Sequence, residues 1–194
     1  MRIFLFFLFL IFFSQSWTKA DEITDFEIEG ISIGNSLLDH YSEEYVNNAF
    51  QNATYYKDRK FAEIFVDLQN KQYDFLQVAL KSNDKQFIVH SIMLLKDFPN
   101  QINECKKQKE KIIYESKDIL INTERVDEDR ASLSDKTGNS FVYISTFYPK
   151  KGGFFNITCN DYGFEMSRDH GWVDALTLSI GSDEFKEYLL SNPY

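Results

Sequence analysis

The sequence is poor in the residues on which metal sites and cysteine chemistry depend. It contains two cysteines and three histidines among 194 residues. The histidines, His40, His90 and His170, are far apart and form no H-x-H or H-x-x-x-H pair. No segment has the acid spacing of a calcium-binding loop. We therefore expect no bound metal and no cofactor.

Positive charge is also scarce. Asp and Glu number 30 against 21 Lys and Arg, which gives a formal net charge of −9 at pH 7. Nucleic acids and anionic membrane surfaces attract proteins through basic faces. We therefore expect neither as a partner, and a small ligand or another protein instead. The acidity is explained most simply as a contribution to solubility.

The chain has no apolar run long enough to cross a bilayer, which takes roughly 20 residues. The longest run, at 3–13, follows a positively charged Met1-Arg2 and precedes a more polar segment that ends in Thr18-Lys19-Ala20. This layout is typical of a secretory signal peptide. We predict a signal peptide at 1–20, no membrane span in the mature chain, and a periplasmic or secreted location. An uncleaved N-terminal anchor is the alternative.

Residues 21–194 combine patterns typical of strands and of helices. We predict strands at 26–29, 61–68, 73–80, 87–95, 141–148, 153–160 and 172–180, and helices at 36–50, at 99–121 and after Ser182. Short polar turns between strands favour an antiparallel sheet, and we expect the helices on one face. The prediction is a single α+β domain, with a pseudo-repeat of two helix-plus-three-strand units at 21–121 and 122–194. Residues 122–139 are interpreted mainly as a connection.

The two cysteines are predicted to form a disulfide. Cys105 lies on the apolar stripe of the helix at 99–121, and Cys159 lies on the same side of its strand as Phe155 and Ile157. Both sulfurs therefore face the interface between helix and sheet, in a chain with an export signal. We favour this bond over a catalytic thiol, because cysteines that face the core are usually inert.

Residues 30–34, Gly-Ile-Ser-Ile-Gly, match the G-x-S-x-G motif that holds the nucleophile of α/β-hydrolases on a sharp turn. That fold builds several parallel strands before its serine, and here the predicted mature chain has only a few residues before Gly30. The simpler interpretation is a turn before the helix that Ser36 caps. A small hydrolase using Ser32 is kept as the alternative function.

The connection at 160–171 is the longest between predicted strands, and long loops on rigid sheets often carry function. Here we expect a binding site rather than a catalytic one. Its candidate residues, taken from this connection and the residue after it, are Asp161, Tyr162, Glu165, Asp169, His170 and Trp172. The alternative is a hairpin whose polar loop has no function.

Three segments, 31–44, 102–105 and 152–159, resemble small exported proteins of unassigned function from AT-rich marine bacteria. That resemblance implies a bacterial periplasm and brings no known activity or catalytic residue. A glycine-led helical pair followed by an antiparallel sheet is also similar to β-lactamase-inhibitor-protein-like modules, which include outer-membrane assembly lipoproteins. The chain departs from those lipoproteins because it has no lipid-anchor cysteine at the predicted cleavage point, its first cysteine being Cys105.

Two functional classes follow from these patterns. The first is a non-catalytic binding or protein-interaction protein of the periplasm, and an open apolar sheet face would favour it. The second is a small periplasmic hydrolase that uses Ser32 or the connection at 160–171. A cluster of Ser, Asp and His within hydrogen-bond reach would favour the second.

Overall fold

A computed structural model describes residues 22–68 and 72–191 of the chain. The predicted signal peptide at 1–20 lies outside the described residues. So does most of the short polar turn at 69–72, between the predicted strands at 61–68 and 73–80. The strands are β1 (Glu27–Ile28), β2 (Ile31–Ser32), β3 (Thr54–Tyr55), β4 (Phe61–Val66), β5 (Phe75–Lys81), β6 (Val89–Asp97), β7 (Thr123–Ala131), β8 (Phe141–Pro149), β9 (Phe154–Asp161) and β10 (Ala175–Gly181). The α-helices are α1 (Glu43–Phe50), α2 (Ile102–Glu115), α3 (Phe164–His170) and α4 (Asp183–Ser191), and single 3₁₀ turns lie at Ile23–Asp25, Leu37–Asp39 and Leu120–Asn122.

Eight strands form one antiparallel sheet in the order β3-β4-β5-β6-β10-β9-β8-β7, and β1 and β2 form a separate hairpin. The sheet consists of two meanders, β3 to β6 and β7 to β10. The meanders meet where β6 pairs with β10, from Ala175 opposite Asp97 to Gly181 opposite Ser91. The α+β class and the antiparallel sheet are therefore confirmed, with four strands in each half rather than the three expected. The pseudo-repeat itself stays a prediction.

The main core lies between one sheet face and a layer made of the β1–β2 hairpin, α1 and α2. On that face alternate residues of each strand point inward, for example Ile64 in β4, Val78 in β5 and Ile157 in β9. Cys105 of α2 is joined to Cys159 of β9 by a disulfide, with Cα atoms 5.9 Å apart and both residues fully buried. The predicted bond is confirmed, because the helical and strand periodicities both pointed these side chains at the same interface.

The last helix packs on the opposite face of the sheet. Phe185 and Tyr188 of α4 form a second core with Phe61, Ala79 and Phe154, all of which point away from the main core. The expectation that the helices share one face therefore holds for α1 and α2 but not for α4. Helix α4 packs on the second face because these three strand residues are apolar there, and burying them under the helix is favourable.

Two segments differ from the sequence prediction. Residues 122–139 are not mainly a connection, because β7 occupies Thr123–Ala131 and pairs with β8 along its full length. The strand was missed because it lies at the edge of the sheet and carries charged residues on both of its faces, as edge strands often do. The predicted helix at 99–121 ends earlier, at Glu115, and a 3₁₀ turn at Leu120–Asn122 leads into β7.

The predicted cap at Ser36 is confirmed, and serines cap two further helices, α1 and α4. The hydroxyl oxygens of Ser36, Ser42 and Ser182 accept hydrogen bonds from the backbone N–H groups of Leu38, Tyr45 and Phe185, at 3.1, 3.2 and 3.2 Å. Each bond satisfies one of the donors that a helix start leaves without an intrahelical partner. The sequence therefore determines where these three helical segments begin.

Candidate functional site

The connection between β9 and β10, predicted to be a long loop, contains a short helix. Gly163 precedes α3, and Gly171 ends it with a φ of 70°, a left-handed conformation that favours glycine. Glu165 lies in the first turn, while Arg168 and His170 lie in the last, which is the arrangement that the helix dipole favours. The sequence therefore contains a helix signal between Gly163 and Gly171: an acid at the start of the segment and basic residues at its end. The prediction of a loop did not use this signal.

Three of the predicted site residues come together as an aromatic cluster. The Trp172 ring lies 5.1 Å from the rings of both Tyr162 and His170, measured between centroids. The Tyr162 backbone N–H donates to Asp174 Oδ1 at 3.1 Å, which ties the start of the connection to the residue before β10. Burial raises the pKa of the Tyr162 phenol. The cluster thus offers a surface of mutually tilted rings with a neutral phenol at neutral pH.

Asp161 ends β9 beside this cluster. Burial and the neighbouring Asp174 raise the pKa of its carboxyl group, while Lys106 of α2 lowers it. Asp161 therefore belongs with Tyr162, His170 and Trp172 at one corner of the sheet.

Glu165 and Asp169 are not part of that group. Glu165 Oε2 accepts a hydrogen bond from Asn139 Nδ2 at 3.5 Å. Asp169 pairs with its neighbour Arg168, whose Nε and Nη2 donate to the two carboxylate oxygens at 2.6 and 3.0 Å. Both acids have partners on the protein surface, so the structure gives them no shared role with the aromatic cluster.

Ser32 lies in the β1–β2 hairpin, where it pairs with Glu27. Its neighbours Ile31 and Ile33 are buried in the main core, and Gly30 and Gly34 both have positive φ values, of 83° and 88°. The two glycines of the motif thus form the turns that frame β2. A nucleophile elbow needs a parallel strand leading into a helix, and this antiparallel hairpin does not provide one.

A contact between histidine and serine that the sequence did not reveal lies at the start of α4. His90 is buried, and its Nδ1 is 3.3 Å from Ser182 Oγ and 3.8 Å from Glu184 Oε2. Burial lowers the pKa of His90, and Lys81 beside it lowers the pKa further. In a catalytic triad one ring nitrogen faces the serine and the other faces the acid. Here both partners face the same nitrogen, so this geometry is that of a helix cap beside a buried histidine.

The surface above His90 is a cavity of about 570 Å³ whose walls include Lys60, Lys81 and Asp84. Both lysines in the cavity wall are ion-paired with Glu184. Its carboxylate pairs with Lys81 at 2.8 Å and with Lys60 at 3.2 Å. Those pairs lower the pKa of Glu184. The single charge of Glu184 thus offsets one of the two positive charges, and both lysines already have a partner within the protein.

In the part of the chain that the structure describes, the second face of the sheet is open beyond α4. Phe65 of β4 and Phe75 of β5 are 55% and 49% exposed, and their rings contact each other at 6.1 Å between centroids. Strand register extends this surface through partly exposed residues of β6, β10, β9 and β8. We call this surface the open face and define it by Phe65, Phe75, Met93, Leu95, Thr177, Thr158 and Ile144.

In residues 22–68 and 72–191, no three His, Cys, Asp or Glu side chains are grouped so that they could hold a metal ion. No helix in the same part of the chain is long and apolar enough to cross a membrane.

Comparisons of the chain with protein-family models, with curated proteins and with solved structures found no match.

Proposed function

We propose that this chain is a non-catalytic, exported binding protein that docks a protein partner on the open face of its sheet. The observation that carries the proposal is the exposed pair Phe65 and Phe75 on a sheet surface that α4 covers at one end only. Large aromatic side chains in contact with one another and with solvent mark interaction sites more often than scattered surface residues do. Aromatic residues are also enriched at the centres of protein interfaces.

The charge of the chain favours a basic partner. The strand register places Asp97 and Glu124 on the same face as Phe65 and Phe75, around its edges, together with Glu128, which is paired with Arg130 at 3.0 Å. With a net charge of −9, a second copy of the chain would be repelled, whereas a protein with a basic rim around an apolar centre would be attracted. The partner we propose is such a protein.

The disulfide supports the exported location in this proposal. Disulfides form and persist mainly in oxidising compartments, and this chain has one in its core. The proposed location is the periplasm, or outside the cell, after cleavage behind Ala20. Intact-mass measurement of the protein recovered from the producing cells tests this point, and a mature form that begins at Met1 would contradict it.

Site-specific photocrosslinking tests the docking proposal. A photoreactive phenylalanine analogue replaces Phe65 or Phe75 in the full chain, and the matched control replaces Tyr114, an aromatic residue of α2 that is 69% exposed. We expect one discrete adduct from positions 65 and 75 in the producing cells, and none from position 114. The adduct should disappear when Phe65 is changed to Ser in the Phe75 crosslinking variant.

Other outcomes of this experiment would overturn the proposal. An adduct at twice the mass of the chain would show that the open face binds a second copy. Adducts of equal yield from all three positions would show non-specific contact. No adduct from either position on the open face would leave the exposed aromatic pair without a partner.

The hydrolase alternative has a direct test of its own. A fluorophosphonate probe labels activated serines, and we expect it to label neither Ser32 nor Ser182. Ser182 is included because of its contact with His90. Labelling that Ser32→Ala or Ser182→Ala removes would establish the alternative instead.

A further inference from the structure

Helix α2 carries a lysine in an unusual position. Lys109 is only 6% exposed, while the side chains of Lys107 and Lys111 on the same helix are 73% and 63% exposed. A buried ammonium group has a large desolvation cost unless an anion pairs with it. Lys109 is therefore less hydrated than its neighbours on the helix, and an anion beside it would offset that loss.

Lys109 lines a cavity of about 260 Å³ between α2 and strands β7 and β8. The charged residues of its wall are equally divided between cations and acids: Lys106, Lys109 and Arg125 against Glu110, Asp127 and Asp129. The cavity lies on the face of the sheet that α2 covers, so it is separate from the open face.

Four of these six charged groups already have a partner inside the protein. Arg125 Nε donates to Asp127 Oδ1 at 2.9 Å, and the same oxygen accepts a hydrogen bond from Ser145 Oγ at 2.6 Å. The Lys106 ammonium lies 3.3 Å above the centre of the Tyr143 ring. Arg125 also pairs with Glu110 at 4.0 Å, so among the described residues of the cavity wall Lys109 and Asp129 are the charged groups with neither an ion pair within 4.0 Å nor a ring contact.

One cation and one acid thus remain available in the same small cavity. The two groups interact electrostatically. Burial lowers the pKa of Lys109, and Asp129 is among the acids that raise it by a smaller amount. A ligand with one charge would satisfy one of the two groups and be repelled by the other. A ligand with both charges would satisfy both groups. It should also be small, because the cavity volume lies below the 300–1,000 Å³ of typical drug-sized sites.

We propose that this cavity binds a small zwitterion of the α-amino-acid class, with the ligand carboxylate on Lys109 and the ligand ammonium on Asp129. The ion pair between Lys109 and the carboxylate would replace the hydration that burial removes from the lysine. Lys106, Arg125 and Tyr143 shape the cavity while their own charges and ring are already engaged.

Calorimetry with three simple probes on the full mature chain tests the proposal. Glycine carries both charges, acetate carries the anion alone, and methylammonium carries the cation alone. We expect glycine to bind at least tenfold more tightly than either of the other two. Lys109→Met keeps the aliphatic stem and should weaken glycine binding by about tenfold to a hundredfold, the loss expected for a hydrogen bond to a charged group. Lys111→Met is the matched control on the same helix and should bind glycine as wild type does.

Asp129→Asn provides a second test, because this exposed edge-strand residue can be changed without disturbing the core. It should weaken glycine binding by a similar factor and should not weaken acetate binding, because the carboxylate that repels acetate has been removed. Three results would overturn the proposal: no heat with glycine at about 10 mM, which saturates a site of millimolar affinity; equal binding of glycine and acetate; or glycine binding that survives Lys109→Met.

Discussion

The disulfide between Cys105 and Cys159 should be the largest single contribution to the stability of this protein. It closes a loop with a sequence separation of 54 residues. In the chain-entropy model, a loop of that length lowers the free energy of the native state relative to the unfolded state by about 4 kcal/mol. Domains of this size are stable by about 5–15 kcal/mol, so the bond decides whether a marginal chain folds.

Urea unfolding of three variants measures this contribution. Cys105→Ala and Cys159→Ala each remove the bond and one fully buried sulfur, and each should cost about 5 kcal/mol of unfolding free energy. The double variant removes the same single bond, so it should cost only about 1 kcal/mol more than either alone. At an m-value of about 2 kcal/mol/M, the midpoint falls by about 2 to 3 M.

Two results would refute this reasoning. Losses below about 1 kcal/mol would show that the reduced, unfolded chain is already as restricted as the crosslinked one. Losses in the two single variants that add up in the double variant would show that each cysteine acts by packing and not through a shared bond. Thiol titration of the denatured, unreduced protein should find no free thiol.

The remaining predictions concern local features. Gly153→Ala should lower the free energy of unfolding by about 2–4 kcal/mol in calorimetry, because φ is 81° and a Cβ would lie 2.6 Å from a neighbouring side-chain carbon. The control Gly138→Ala should lower it by only about 1 kcal/mol, because φ there is 77° but nothing lies within 4 Å of the added Cβ. Ser182→Ala should cost about 1 kcal/mol in urea unfolding through loss of the cap on α4, and a variant as stable as wild type would contradict that role. Hydrogen bonds, first of all from the Ser140 hydroxyl, lower the pKa of Asp135 to about 2, so its contribution to stability should be complete above the unfolded pKa of about 3.9 and be lost as the pH falls towards 2. A carboxyl titration by NMR with a midpoint near 4 for Asp135 would contradict this.

The disulfide and the caps could be predicted because each depends on short-range patterns. Cys105 and Cys159 lie on apolar faces that helical and strand periodicity reveal separately, and an exported chain with two cysteines suggests their pairing. Ser36, Ser42 and Ser182 stand immediately before helical segments, where a short polar side chain is favoured.

Strand β7 could not be recognised, because hydrophobic periodicity detects a strand only where one of its faces is buried. An edge strand with the sequence Thr-Glu-Arg-Val-Asp-Glu-Asp-Arg-Ala keeps most of its side chains in water. Its pairing with β8 through backbone hydrogen bonds leaves no mark on the sequence. Because β7 was missed, the cavity beside Lys109 was missed as well.

The structure brings together only part of the predicted site, for a related reason. Tyr162, His170 and Trp172 were selected because they are close in sequence, and they also meet in space. Glu165 and Asp169 are equally close in sequence but lie on a helix that directs them elsewhere. The contact between His90 and Ser182 joins residues 92 positions apart across the sheet, so only the strand order could reveal it.

The pairing of β6 with β10 has a consequence for how the chain folds. Every other neighbouring pair in the large sheet joins strands that follow one another in sequence, so each meander can form through short loops. The central pair joins Ala175 to Asp97 and Gly181 to Ser91, and its closure costs about 2 kcal/mol more in loop entropy than that of a hairpin. During synthesis, β6 therefore waits with an unpaired edge until β10 has been made. We expect this step to limit the folding rate, and the unpaired β6 edge to be where premature association between chains begins.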